Sequence, residues 1–357
     1  MLIIFVDALP YLVAKKFTSL AKCSVRPLTP GYGYSVNLHA ELFAGVTPDD
    51  AGYFGELLYS QRGDKLNHFW LFLAKLELRF PRPARLVRLF LNILTRRKVG
   101  YIPIAFKGLF AKKGVYPLVH PTEFQSIFDK INFSSHIADS VRAPLGAKDK
   151  IVFLSALNAV RKGQKDVFIS MCDLDGMYHE YGEEHDKIDK KLDWLNDKIG
   201  LLWSEYNKFN PQEPVFLLSD HGISNAPKHV TFNYQKYTKE ILAGELIVFF
   251  DSLYLAFWAN NEDVRVKVLN DLSHLPGKLL LCEQRIARGL TDLRFGEHIF
   301  LLNEGYGFCP NFFGFRPLKS YHGYDPELPK SKGVIASNID VKSEIRNLDV
   351  YEILLNS

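Results

Sequence analysis

Apolar residues gather along this chain in short unbroken runs, bounded by polar residues or glycine: Leu2 to Val6, Asp166 to Met171, Val215 to Leu218 and Gly333 to Ala336. Runs of this length without alternation read as strands covered on both faces. Between them the apolar spacing becomes helical, over His39 to Phe43, Ser155 to Arg161 and Ile188 to Phe209. Strands that alternate with helices predict an α/β fold with a mainly parallel sheet. Ligands of such sheets collect beyond the carboxyl ends of the strands. Three of the runs end on acids. Leu2-Ile-Ile-Phe-Val6 is followed by Asp7, Val167-Phe-Ile-Ser-Met171 by Cys172-Asp-Leu-Asp-Gly-Met-Tyr-His179, and Val215-Phe-Leu-Leu218, after Ser219, by Asp220-His221. One such ending is commonplace; three converging on one sheet edge make a site.

Two stretches break the rhythm. Residues 61–119 read as a basic helical insertion, and residues 230–312 as an α+β cap with Ile247 to Trp258 and Lys278 to Leu281 strand-like and Asp263 to Leu275 helix-like. The core is expected to be 1–60, 120–229 and 313–357. A net charge of +4 conceals a strong asymmetry: from Arg62 to Lys113 thirteen Lys/Arg stand against Asp64 and Glu77, a local +11, which leaves the remainder at −7. With 47% hydrophobic and 24% charged residues, the composition is that of a globular protein and excludes a disordered or fibrous one. Cys23, Cys172, Cys282 and Cys309 are scattered without a C-x-x-C pair, so neither a disulfide framework nor a thiolate zinc site is predicted. Met1 to Val13 carries Asp7 and Pro10, lacks a basic leader and is too short to span a bilayer. These features predict a cytoplasmic protein.

Carboxylates and neutral imidazoles in one pocket suit zinc, manganese or a similar divalent ion. Two such ions about 4 Å apart can serve an in-line displacement at phosphorus. Asp7, Asp175, His179, Asp220 and His221 supply five of the roughly six protein ligands that such a centre needs.

In order along the chain, Phe5-Val-Asp-Ala8, Ser35-Val-Asn-Leu-His-Ala-Glu-Leu-Phe-Ala-Gly-Val-Thr-Pro-Asp-Asp-Ala-Gly52, Asp175-Gly-Met-Tyr-His-Glu-Tyr-Gly182, Ser219-Asp-His-Gly222 and His322-Gly-Tyr-Asp-Pro-Glu327 resemble the alkaline phosphatase superfamily, in its type I phosphodiesterase and nucleotide pyrophosphatase branch. The resemblance covers most of the core and neither insertion. It implies a three-layer alkaline phosphatase-like core with two inserted cap segments. Two divalent metals follow, zinc first and manganese second: Asp175, His179 and His322 would hold one, and Asp7, Asp220 and His221 the other, with Ser35 as the metal-bound nucleophile. Ser35 would attack phosphorus and form a covalent phospho-enzyme intermediate. Ser35 lies ten positions before Gly45, where Gly45-Val-Thr-Pro48 resembles the family's glycine-x-x-proline turn, and Ser35 thus stands at the place where the branch usually has threonine as nucleophile.

The chain departs from the branch at Glu56, which stands where an asparagine usually helps to hold phosphate, and at Asn37 and Leu38, which replace a proline and an asparagine. The motifs therefore predict a phosphate-ester substrate, nucleotide, nucleotide-sugar or lipid-linked, and leave open a phosphomonoesterase, a phosphomutase or a non-catalytic scaffold. A sulfatase is disfavoured, because Ser35-Val-Asn-Leu-His39 lacks the proline and arginine of the sulfatase activation motif. Read singly, His39, His185 and His229 are surface or helix histidines, Cys172 is an apolar filler and Asp173 a strand-end acid. Within 61–119, Arg85, Arg88, Asn92 and Arg96 fall on one helical stripe and Leu86, Leu89, Phe90, Ile93 and Leu94 on another. That pattern suits either a solvated basic face or peripheral contact with an anionic membrane at its inner face; no motif for specific nucleic acid binding is present.

Overall fold

Strand β1, Leu2–Val6, is buried at every residue and pairs in parallel on both sides, which is why its sequence is apolar without alternation. The structure is a computed structural model and describes residues 1–60, 68–80, 102–106, 108–112, 114, 116–117 and 122–357. The other strands of the main sheet are β2 (Ser24–Thr29), β3 (Ser134–Ile137), β4 (Val167–Met171), β5 (Val215–Ser219), β6 (Gly333–Ser337) and β7 (Ile345–Arg346), in the order β7-β2-β6-β5-β1-β4-β3. Only β6 runs against the rest. The expected α/β fold with a mainly parallel sheet is the fold observed.

The pleat of β1 divides its side chains between two cores. Leu2, Ile4 and Val6 join Val167, Ile169, Leu217 and Ala336 on one face, where helices α2 (Lys148–Arg161), α3 (Asp173–Tyr181) and α4 (Asp186–Phe209) pack through residues such as Val152, Leu174 and Leu195. Ile3 and Phe5 join Phe168, Phe216 and Ile335 on the other, against Leu42 and Phe43 of α1 (Ser35–Ala44) and Val350 and Leu354 of α5 (Asn347–Leu355). The layers are therefore helix, sheet and helix. Register sets the site: Val6 pairs with Met171 and Phe5 with Leu218, so the residues that follow β1, β4 and β5 emerge side by side at one edge.

Below that edge lies a buried ionic knot. Lys191 Nζ of α4 is 2.7 Å from Asp149 Oδ2 and 3.9 Å from Asp173 Oδ2, while Asp149 Oδ1 accepts from the amides of Cys172 and Asp173. Burial pushes the Asp149 carboxyl up, and Lys191 opposes that push. The knot pins the start of α3, which carries two of the expected ligands; loss of the lysine would leave two buried acids uncompensated, at a cost of about 3–5 kcal/mol. Asp173 is thus fully buried and paired rather than a loose strand-end acid.

Contact density divides the chain into one unit of Met1–Gly55, Gly114–Asn225 and Leu318–Ser357, and a second of Glu56–Lys113 and Ala226–Pro317. The second gathers both of the stretches expected as separate insertions. Its four-stranded antiparallel sheet has the order Leu246–Phe250, Tyr254–Ala259, His298–Leu302 and Gly277–Leu279. The strand-like stretch expected over Ile247 to Trp258 is two antiparallel strands, joined by a tight turn that the Asp251 amide closes by donating to the Tyr254 carbonyl. The basic stripe of Arg85, Arg88, Asn92 and Arg96, with Leu86, Leu89, Phe90, Ile93 and Leu94, lies outside the described residues. Among the described residues no helix is long and apolar enough to cross a membrane.

Candidate active site

Two sharp turns deliver the ligands. Ala8, directly after Asp7, adopts the left-handed region at φ 60°, and the Leu9 amide donates to Ser219 Oγ, whose hydroxyl donates in turn to the His221 carbonyl. The serine before Asp220 is therefore a clasp between two strand ends and is not free to be a nucleophile. Gly222 lies so close to the Lys330 carbonyl that a Cβ there would sit 2.0 Å from its oxygen, so only glycine lets the chain leave His221 along this path.

The expected residues converge. His221 Nε2 lies 3.4 Å from Asp7 Oδ1, 3.3 Å from Asp220 Oδ2 and 3.1 Å from Ser35 Oγ. His179 Nε2 and His322 Nε2 lie 3.3 and 3.7 Å from Asp175 Oδ1. Among the described residues two triads that could hold a metal ion have their donor atoms within 4.8 Å of one another, Asp7 with Asp220 and His221, and Asp175 with His221 and His322. His221 belongs to both, and its ring stacks on that of His322 with centroids 3.8 Å apart.

Backbone carbonyls fix what the imidazoles offer. His179 Nδ1 is 2.7 Å from the Ser320 carbonyl and His221 Nδ1 2.9 Å from that of Gly222, so each Nδ1 carries the proton and donates. Each Nε2 then faces carboxylates, which it can satisfy either by carrying a second proton or by sharing a cation with them. Asp7 Oδ1, Asp175 Oδ1 and both oxygens of Asp220 have no hydrogen-bond partner although buried. Buried acceptors that face one another are what a divalent ion satisfies, and the mixed N/O donor set suits such an ion.

The electrostatics agree. Burial first, then the Asp220 and Asp175 charges, push the Asp7 carboxyl well above its usual range. Burial also acts upward on Asp175, but the His179, His322 and His221 imidazoles outweigh it and hold that carboxyl low; Asp220 is lowered in the same way by His221 and His39. Burial and the neighbouring His221 hold His322 well below the usual imidazole value, in its ligating neutral form.

Ser35 opens α1, where first-turn amides lack intrahelical acceptors and the helix dipole favours an anion. The approach to it is tied down by the helix itself. Asn37 Oδ1 accepts from the Tyr34 amide, Asn37 Nδ2 donates to the Tyr32 carbonyl, and Glu41 Oε2 accepts from the Gly31 amide. Asn37, noted in the sequence only as a departure, thus holds the loop that leads into Ser35. Gly45 ends α1 at φ 65° and Thr47 caps the turn that starts at Pro48, which accounts for the glycine-x-x-proline spacing.

The sequence reading misjudged one residue and missed another. His39, expected as a surface or helix histidine, does lie in helix α1 but is 2% exposed, with Nε2 3.4 Å from Asp220 Oδ2. Its only sequence signal is the one-turn offset from Ser35, which puts both on one face of α1. Asn347, also buried, donates to the Asp220 carbonyl. Cys172 is partly buried against the apolar core, and its thiol, pushed up by burial and by nearby acids, is no thiolate ligand. His185 caps α4 by accepting from the Lys187 amide, His229 is exposed, and Ser155 pairs with His136. Glu56 belongs to the second unit. Because an outer partner of a ligating carboxylate typically sets metal affinity by 10–100-fold, a His39→Ala chain is expected to bind a divalent ion at Asp220 about tenfold less tightly. Metal titration followed by thermal melting checks this; unchanged affinity would reduce His39 to a packing residue.

Residues 98–276, half of the chain, match the model of the type I phosphodiesterase / nucleotide pyrophosphatase family. No curated protein matches by sequence. Among solved structures, murine ectonucleotide pyrophosphatase / phosphodiesterase 5 superposes with a TM-score of 0.66 at 12% identity, over 100% of this chain and 94% of that one. The human counterpart gives 0.67 at 12%, with the same coverage. An inactive threonine-to-alanine form of the murine protein, in complex with AMP, gives 0.65 at 12%, again over 100% and 94%. At that identity the likeness establishes the fold, including its alkaline phosphatase-like layers.

Proposed function

The chain belongs to the type I phosphodiesterase / nucleotide pyrophosphatase family of metal-dependent hydrolases, and from that premise we propose that it cleaves a phosphodiester or pyrophosphate link with the Ser35 hydroxyl as nucleophile. The observation that carries this reading is the position of Ser35 Oγ, 3.1 Å from His221 Nε2 at a helix start beside three acids whose buried oxygens lack partners. Asp7, Asp220 and His221 would hold one ion together with Ser35, and Asp175, His179 and His322 the other, with zinc favoured by the imidazole content and manganese the alternative. Such ions, when bound, lower the pKa of the serine hydroxyl and neutralise charge on the phosphoryl oxygens.

The chain's own groups do the rest. The loop held by Asn37 and Glu41 fixes Ser35 Oγ before attack, so little orientational freedom is lost on reaching the transition state. Oγ bonds to phosphorus as the bond to the leaving oxygen breaks on the opposite side. Water then attacks the same phosphorus and frees Ser35. The first-turn amides of α1 favour the negative charge carried by the transferring group. A nucleotide-type ester is the preferred substrate class, supported by the AMP complex of the murine relative.

Turnover of bis-p-nitrophenyl phosphate against p-nitrophenyl phosphate tests the reaction class. The diester is expected to give the higher kcat/KM, by about tenfold or more, which corresponds to at least about 1.4 kcal/mol of transition-state discrimination. A monoester preference of that size would favour a phosphomonoesterase instead.

A further inference from the structure

Helix His68–Arg79, in the second unit, turns an unusual face to solvent. Phe72, Leu76 and Phe80 recur at four-residue spacing and are 61%, 43% and 49% exposed. The Phe80 amide still donates to the Leu76 carbonyl, so the three share one face. Lys75 and Arg79 are exposed between them, and the Arg79 guanidinium lies 5.7 Å from the Phe80 ring. The opposite face is the one that anchors the helix: Ala74 and Leu78 are buried, and buried Glu77 accepts from the Ile104 amide at 2.6 Å. The helix is therefore already packed on its correct side. What remains outward is a second apolar row, with the exposed cations Lys75 and Arg79 of the same helix beside it.

We propose that this face docks the enzyme on an anionic lipid bilayer. A row of large apolar side chains between basic residues is the pattern of a helix lying in a membrane interface, where apolar groups enter the acyl boundary and cations meet headgroup phosphates. Charge complementarity supplies the partner: residues 62–113 carry a net +11, and residues 81–101 contain six Lys/Arg and no acid. A single-stranded nucleic acid would stack on aromatic rings, but Leu76, at the centre of the row, offers no π face. The inference stands apart from the chemistry at Ser35.

Flotation of the full chain with vesicles tests it. Binding is expected to vesicles of phosphatidylcholine mixed with phosphatidylserine, not to phosphatidylcholine alone, and to weaken as sodium chloride is raised. Inorganic phosphate at matched ionic strength is expected to add no further effect, which separates a bilayer surface from a site for free phosphate. The triple variant Phe72→Ser, Leu76→Ser, Phe80→Ser is expected to bind at least about tenfold more weakly, with bis-p-nitrophenyl phosphate turnover in solution unchanged as proof of folding. Equal binding to neutral and anionic vesicles, no binding at low salt, or a triple variant that binds like the parent chain would overturn the proposal. So would a vesicle-free dimer that the triple variant abolishes, since the face would then belong to a second copy of the chain.

Discussion

Replacing Ser35 with alanine is expected to lower diester kcat by a factor on the order of 10³–10⁶, while the chain keeps its fold and its divalent ions. The size follows from removing the atom that forms the new bond, since what remains is binding and electrostatic stabilisation. The fold should survive because Ser35 is only half-buried and the loop before it is held by Asn37 and Glu41, not by the serine hydroxyl. Ion binding should survive because Asp7, Asp220 and His221 remain. Threonine is the informative companion, since it keeps a hydroxyl at the same place; Ser35→Thr is expected to retain turnover within about tenfold of the parent. A Ser35→Ala chain that hydrolysed the diester at the parental rate would move the nucleophile elsewhere.

Stripping the divalent ions is expected to abolish turnover and also to lower the melting temperature, by an amount that grows with pH. In the metal-free fold Asp7 has a raised pKa, so the native state holds a proton that the unfolded state releases in the ordinary carboxylate range. Stability is therefore lost as pH rises from that range through the folded value. His179 acts in the same direction: burial opposes its charge, yet the Asp175 carboxylate holds its pKa up, so its contribution is present below the ordinary imidazole value and fades as pH rises through the raised one. The lowered Asp175 and Asp220 stabilise above the ordinary carboxylate range and lose that effect only as pH falls below it. The lowered His322 works against the trend, its cost being relieved as pH rises through the ordinary imidazole value, so the net loss with pH comes from Asp7 and His179. Ion binding, which requires ionised carboxylates and neutral imidazoles, strengthens over the interval in which the metal-free fold weakens. At about a thousandfold excess over Kd a single ion contributes about 4 kcal/mol. Melting with and without chelator at about pH 5.5 and pH 8.5 reads the difference directly; a chelator effect that shrank with pH would contradict the assigned donor set.

The fold's centre was legible because its chemistry is repetitive. The fully buried strands β1, β4 and β5 have apolar runs that can hardly be anything else, and the rule that ligands gather past their carboxyl ends led straight to Asp7, Asp175, Asp220 and His221. The strands toward the two sides of the sheet were not legible. Ser24–Thr29 and Ser134–Ile137 carry mixed, partly exposed side chains, and they are strands because a neighbour pairs with them. His39 was misjudged for a related reason: a histidine inside a helix has the same local pattern whether it meets solvent or the carboxylate of Asp220. Distance in sequence hid it, since 181 residues separate the two. The Asp149, Asp173 and Lys191 knot likewise joins three helices whose charged residues, taken one at a time, look like ordinary surface positions.

The most direct test of the account counts the divalent ions retained by purified wild-type and Ser35→Ala chains, by elemental analysis, against bis-p-nitrophenyl phosphate turnover measured on the same samples. The account predicts about two ions per chain in both, with turnover in the wild type and none in the variant. Turnover that persists in a chain carrying no ion, or in the alanine variant, would contradict it.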